Sequence, residues 1–127
     1  MIHIGTLPGH YAVCRLDAAD AIPNWADGDG FVSITRTSEE LSIVCHESRV
    51  PDGVRAERGY RCLGVKGPLP FELTGVAASI AAPIAAAGIS LLLIATYDTD
   101  YVLVREELLD QAAAALRAAG HTLASSS

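Results

Sequence analysis

Basic residues are scarce in this chain. Nine Lys and Arg stand against fifteen Asp and Glu, giving a formal net charge of −6 and a pI near 5.0. An acidic surface repels nucleic-acid phosphates and anionic lipid, which argues against both as partners. Acidity of this size is also ordinary for a cytosolic protein, so it selects no ligand. Cysteine is short as well: Cys14, Cys45 and Cys62 are odd in number, widely spaced and set in apolar, strand-like runs. A disulfide framework or a zinc site needs paired, close spacings. These three read as reduced core residues. No apolar stretch approaches the roughly 20 residues of a membrane span, and no basic region leads into an apolar one at the N-terminus. The expected location is cytoplasmic.

Catalytic constellations are missing too. His3, His10, His46 and His121 are scattered, with no carboxylate or cysteine at ligand-like or triad-like spacing. Asp27-Gly28-Asp29-Gly30 lacks the lysine and the strand–helix context of a phosphate-cradling loop. The expectation is a protein that is not an enzyme and uses no cofactor and no metal.

What the chain does have is apolar content and a readable order of elements. Half of its 127 residues are hydrophobic, enough for one domain or two small, tightly packed halves. Met1–Gly9 is short, Gly/Pro-punctuated and expected to be loosely held. His10–Leu16 reads as a strand, and Asp17–Trp25 as at most a short helix, because Pro23 disfavours a helical Ile22. Phe31–Arg36 and Leu41–Cys45 alternate as strands around Thr37–Glu40, and Gly59–Val65 is a fourth strand. Thr74 is a plausible N-cap for a helix whose buried face is Val76, Ile80, Ile84 and Ala87. Gly88 ends it. Ile89–Ile94 is an almost unbroken apolar run, the pattern of a strand in a covered sheet. Tyr97–Asp100 turns the chain and Tyr101–Val104 returns. Glu106–Ala119 is an amphipathic helix with Leu108, Leu109, Ala112, Ala115, Leu116 and Ala119 on one face, closed by Gly120. His121–Leu123 is a last edge strand before a frayed Ser125–Ser127 tail.

A repeat underlies this order. Phe31–Cys45 and Ile89–Val104 share one plan of strand, terminal threonine, acidic hairpin and returning strand. Thr37 and Thr96 lie 59 positions apart. The expected units are 10–58, with degenerate helices, and 59–124, paired with pseudo-twofold symmetry. A seam between such halves is where a small ligand would be enclosed.

The run GPLPFELTGVAASIAAPIAAAGISLLLIATYDTDYVLV resembles the ACT domain. It is especially similar to the tandem-ACT small proteins related to the cytosolic arginine sensor CASTOR. LSIVC and GYRCLGV upstream fit the same pattern, so the similarity runs from about His10 to Leu123. The resemblance implies an α+β fold of ferredoxin-like (βαββαβ) units, two in tandem, with antiparallel sheets and helices on one face. It also implies binding of a free amino acid without catalysis, in a regulatory or sensor role. The other reading is a dimerising interaction scaffold with the same fold and no ligand.

Carried over residue by residue, the resemblance points to Gly75, Val76 and Ala77 as backbone donors to a ligand carboxylate. The first N–H groups of a helix lack partners and carry partial positive charge, which supports this independently. Gly75 either admits the ligand or permits close helix–strand packing. Thr96, Tyr97 and Asp100 form the hairpin side, with Asp100 accepting from an ammonium, although a hairpin aspartate also serves turn geometry. Ser42 and Ile43 are the contribution expected from the first unit, through backbone N–H and C=O. The sequence departs from the arginine sensor at Leu73, with Glu72 beside it, where that sensor has an acidic residue. A smaller or apolar amino acid is therefore at least as well suited. A homodimer is expected, because sheet edges of such units need covering.

Overall fold

The computed structural model describes residues 2–70 and 74–124. The readings of Glu72, Leu73 and the Ser125–Ser127 tail fall outside the described residues. The strands are β1 (His3–Thr6), β2 (Tyr11–Leu16), β3 (Ser33–Arg36), β4 (Leu41–His46) and β5 (Ala56–Val65). Helix α1 (Val76–Ala86) follows, then β6 (Leu92–Ala95), β7 (Asp100–Arg105), helix α2 (Leu109–Ala118) and β8 (Thr122–Ala124). The fold is α+β, and the chain falls into two units, Gly9–Tyr60 and Met1–Pro8 with Arg61–Ser127.

In the Gly9–Tyr60 unit the strand order is β3-β4-β2-β5, antiparallel at every step. Alternation sends Leu41, Ile43 and Cys45 of β4 to the same side as Ala12 and Cys14 of β2. These close on Ala26 and Val50 in a small core. No α-helix forms here. Between β2 and β3 the chain makes only a 3-10 turn, Asn24–Ala26, directly after Pro23. A second such turn, Glu47–Arg49, follows β4 and stops before Pro51.

The other unit has the order β6-β7-β5-β1-β8. Both helices lie on one face of it. Val76, Ile80 and Ile84 of α1 and Ala112 and Leu116 of α2 pack on Ile4, Leu63, Val65, Val102 and Val104. Ile84, Leu116 and Val104 are wholly buried, and each large aliphatic contributes roughly 1.5–3 kcal/mol. Both helices end in the same hydrogen-bonded motif. Gly88 and Gly120 stand at positive φ. Their N–H groups donate to Ala85 and Arg117, and the next N–H groups, of Ile89 and His121, donate to Ile84 and Leu116.

Four expectations need correction. The N-terminal segment is not loosely held: β1 pairs antiparallel with β5 and parallel with β8, and Ile4 is buried in the helix-covered core. A four-residue strand carries too little pattern to announce itself, and its partners lie at the far end of the chain. Thr74 is not the helix cap. Gly75 is, at φ +82, with no side-chain cap bond; the left-handed turn places the helix start one residue later. Ala87 and Ala119 are exposed rather than on buried faces, because each is already the capping residue of its helix. Finally, Ile89–Ile94 is not a covered strand. The strand is Leu92–Ala95, with Leu92 and Leu93 exposed, and among the described residues it pairs only with β7.

Candidate functional site

The start of α1 and the tip of the β6–β7 hairpin meet across an open cleft of about 290 Å³. The local structure on each side follows from specific residues. Gly75 adopts φ +82, a conformation that side chains disfavour. A Cβ built there would touch none of the described residues within 4 Å, so among them the glycine answers to backbone conformation and not to helix–strand packing. The N–H groups of the first helical turn, from Val76 onward, have no carbonyl within the helix to bind. On the hairpin side, the Thr96 N–H donates to the Thr99 carbonyl at 2.8 Å, and the Thr99 N–H returns to Thr96 Oγ1 at 3.2 Å. Asp100 then begins β7, opposite Ala95.

Two further ties hold the hairpin over the chain that leads to the helix. Thr99 Oγ1 donates to the Val65 carbonyl at 2.7 Å, and the Leu69 N–H donates to the Asp98 carbonyl at 2.8 Å. Gly67 makes this approach feasible, since a Cβ there would lie 3.1 Å from the Asp98 carbonyl oxygen and the Thr99 Cβ. Threonine hydroxyls, a turn and one loop amide therefore fix the position of two carboxylates relative to a helix start.

Six sequence-derived candidates line this cleft together: Gly75, Val76, Ala77, Thr96, Tyr97 and Asp100. Tyr97 is 80% exposed and stands at the rim. Ser42 and Ile43 belong to the other unit. Both sit on β4 between β2 and β3, where Ser42 is paired with Arg15 and Thr35, and Ile43 with Cys14 and Ile34. Asp98, the other carboxylate of the acidic hairpin, also lines the cleft, as do Leu69, Pro70, Ala95 and Thr99, which were not singled out in the sequence. Gly67, just before Pro68 and Pro70, was the available signal for a chain passing close beneath another.

Among the described residues, the only charged side chains in the lining are Asp98 and Asp100. They face a helix start whose dipole is positive. The arrangement offers donors for an anion and acceptors for a cation a short distance apart. Nucleophilic chemistry has no comparable support. Burial pushes the Cys62 thiol up to about 12 and the Cys14 thiol up to about 11, and raises Cys45 as well. Such thiols stay protonated and inert at neutral pH. Among the described residues no cluster of His, Cys, Asp and Glu is arranged to hold a metal ion, and no helix is long and apolar enough to cross a membrane.

Comparison with known proteins matches this geometry to a family. The ACT-domain family model aligns with residues 55–118, just over half of the chain. The chain belongs to the ACT-domain family. A second model, for the N-terminal domain of another family, aligns with residues 9–53. A solved Agobacterium tumefaciens protein is 44% identical, with a TM-score of 0.94, covering 99% of this chain and 94% of its own. A Vibrio cholerae protein of unknown function has a TM-score of 0.75 at 23% identity, covering 93% and 89%. The regulatory subunit of aspartate kinase from Thermus thermophilus has a TM-score of 0.63 at 11% identity, covering 92% and 96%. These last two show likeness of fold alone. No curated protein matches the chain. ACT domains are regulatory modules and often bind amino acids.

Proposed function

We propose that this ACT-domain protein is a non-catalytic amino-acid sensor whose ligand site is the cleft between the start of α1 and the β6–β7 hairpin. One observation carries the reading: the free N–H groups of a helix start and the carboxylate of Asp100 line the same cleft. A zwitterion presents the complementary pair. Its carboxylate meets Gly75, Val76 and Ala77, and its ammonium meets Asp100, with Thr96 and Tyr97 at the side and rim. Ala95, Leu69 and Pro70 leave apolar room for a side chain, which favours a small or apolar amino acid. Isothermal titration against the twenty amino acids tests this. Binding of at least one, with no chemical turnover, is the expected result; silence across the panel at millimolar concentration overturns it.

The tandem arrangement and the homodimer belong to the same proposal. The two hairpins share one pairing scheme at a constant offset, which supports duplication. Strand β6 is an uncharged edge with Leu92 and Leu93 exposed, and edges of this kind are normally covered. Light scattering should read twice the chain mass of 13.3 kDa; a monomer at micromolar concentration contradicts it. A dimer that binds no amino acid would instead favour the scaffold reading.

A further inference from the structure

Helix α1 carries a defect that another part of its unit repairs. Pro83 lies inside the helix and has no N–H to donate. The carbonyl left without its usual partner is that of Ser79, four residues earlier. The proline ring also pushes that carbonyl outward. His121 stands there, with its Nε2 2.9 Å from the Ser79 oxygen. The other ring nitrogen, Nδ1, lies 3.2 Å from the backbone N–H of Ile2. An amide N–H only donates, so Nδ1 is the acceptor and Nε2 carries the proton. The partners thus assign one neutral tautomer.

His121 also occupies a fixed place on the backbone. Its own N–H closes the end of α2 on Leu116, and the Thr122 N–H that follows donates to the Ile2 carbonyl. Through its ring and its backbone, His121 therefore joins α1, the end of α2, and the entry to strands β1 and β8. Ser79 sits in the first turn of α1, and its N–H donates the first helical bond to the carbonyl of Gly75. Gly75 lines the cleft.

We propose that His121 is a positioning residue for the cleft: as the Nε2–H tautomer it gives Ser79 the donor that Pro83 withholds, and so fixes the start of α1. The last step, from helix start to ligand, rests on the cleft being the binding site. The first step does not. The hydrogen bonds of His121 run to Ile2, Ser79 and Leu116, so its link to the cleft passes through Ser79.

The experiment is a double-substitution cycle of His121→Ala and Pro83→Ala in the full-length protein. Hydrogen exchange of the α1 amides and amino-acid affinity are read for each variant. In Pro83→Ala the helix regains its own N–H at position 83, and His121 becomes redundant. His121→Ala alone should raise exchange of the α1 amides about tenfold and weaken ligand binding about tenfold, the scale of one hydrogen bond. In the Pro83→Ala background the same change should do little. His121→Gln, whose amide N–H can reach Ser79, should recover part of the loss. Nitrogen chemical shifts of the ring should show Nε2 protonated. Equal effects of His121→Ala in both backgrounds, or a ring protonated on Nδ1, would overturn the proposal. If wild type binds no amino acid, the sensor reading fails while the exchange cycle still decides the role of His121. If wild type binds and the cycle couples in exchange but not in affinity, the link from helix start to ligand is wrong.

Discussion

In the hairpin of the Gly9–Tyr60 unit, Ser33 pairs with Val44 and Arg36 with Leu41; in the other unit Leu92 pairs with Leu103 and Ala95 with Asp100. The 59-residue offset between Thr37 and Thr96 relates every one of these positions. It relates the turns too. The Thr37 N–H donates to the Glu40 carbonyl at 2.9 Å, as the Thr96 N–H does to Thr99, and each threonine Oγ1 accepts the amide three residues on. The 3-10 turns Glu47–Arg49 and Glu106–Leu108 continue the match. Then the two segments part. Pro51 follows in one, and α2 grows in the other.

The same scaffold is used differently at two positions. Leu41 is wholly buried in its core, where the second hairpin has the half-buried, cleft-lining Asp100. Arg36 reaches from the first hairpin to the carbonyls of Ala18 and Asp20, on the segment after β2. Its counterpart Ala95 stops at Cβ and lines the open cleft. The hairpin tips are tied alike, Glu39 by the Arg15 guanidinium at 3.0 Å and Asp98 by the Leu69 amide. A repeated backbone can thus be strapped shut by its own arginine in one copy and left open beside a carboxylate in the other.

The most severe way to break this comparison is to exchange Leu41 for Asp. A carboxylate at a wholly buried core position without a partner should destabilise the protein by at least about 3 kcal/mol, read as a shift of the urea midpoint. The reverse exchange, Asp100→Leu, should leave the fold intact and abolish amino-acid binding. If Leu41→Asp is as stable as wild type, the two positions are not used differently.

A milder change sharpens the functional half. Asp100→Ala should weaken amino-acid binding about tenfold to a hundredfold, since a charge-assisted hydrogen bond contributes roughly 1.5–3 kcal/mol. Stability should move less, because Asp100 supports little core. Titration showing unchanged affinity would remove Asp100 from the site.

The smallest effect is expected at the strap. Arg36→Ala copies Ala95 into the first hairpin and removes two bonds made at an exposed surface. A loss of about 1 kcal/mol should follow, with amino-acid affinity at the other unit unchanged. The complementary Ala95→Arg should obstruct the cleft and abolish binding. Undiminished binding by that variant would mean that the ligand lies elsewhere.

Much of this was readable because local rules point one way. Gly88 and Gly120 announced two helix ends, Val76, Ile80 and Ile84 a buried stripe, and Thr37 and Thr96 two equivalent turns. The cleft's two sides were legible for the same reason: a glycine-led helix start and an acidic hairpin are written in contiguous residues. Leu69 and Ala95 were not, because their role depends on which segment passes over which. Leu92 and Leu93 misled, since an apolar run looks the same whether or not anything covers it.

By itself the sequence determined most of the strands, both helices with their C-terminal ends, and the 59-residue correspondence of the hairpins, all of which rest on periodicity and turn chemistry acting over a few residues. Only the tertiary structure decided that β1 enters the sheet between β5 and β8, that β6 stays at an edge, and that His121 completes α1. Each depends on partners far apart in sequence, such as Ile4 with Leu123 and Ser79 with His121. Long-range pairing of this kind leaves no local mark, because it satisfies backbone groups that any residue carries.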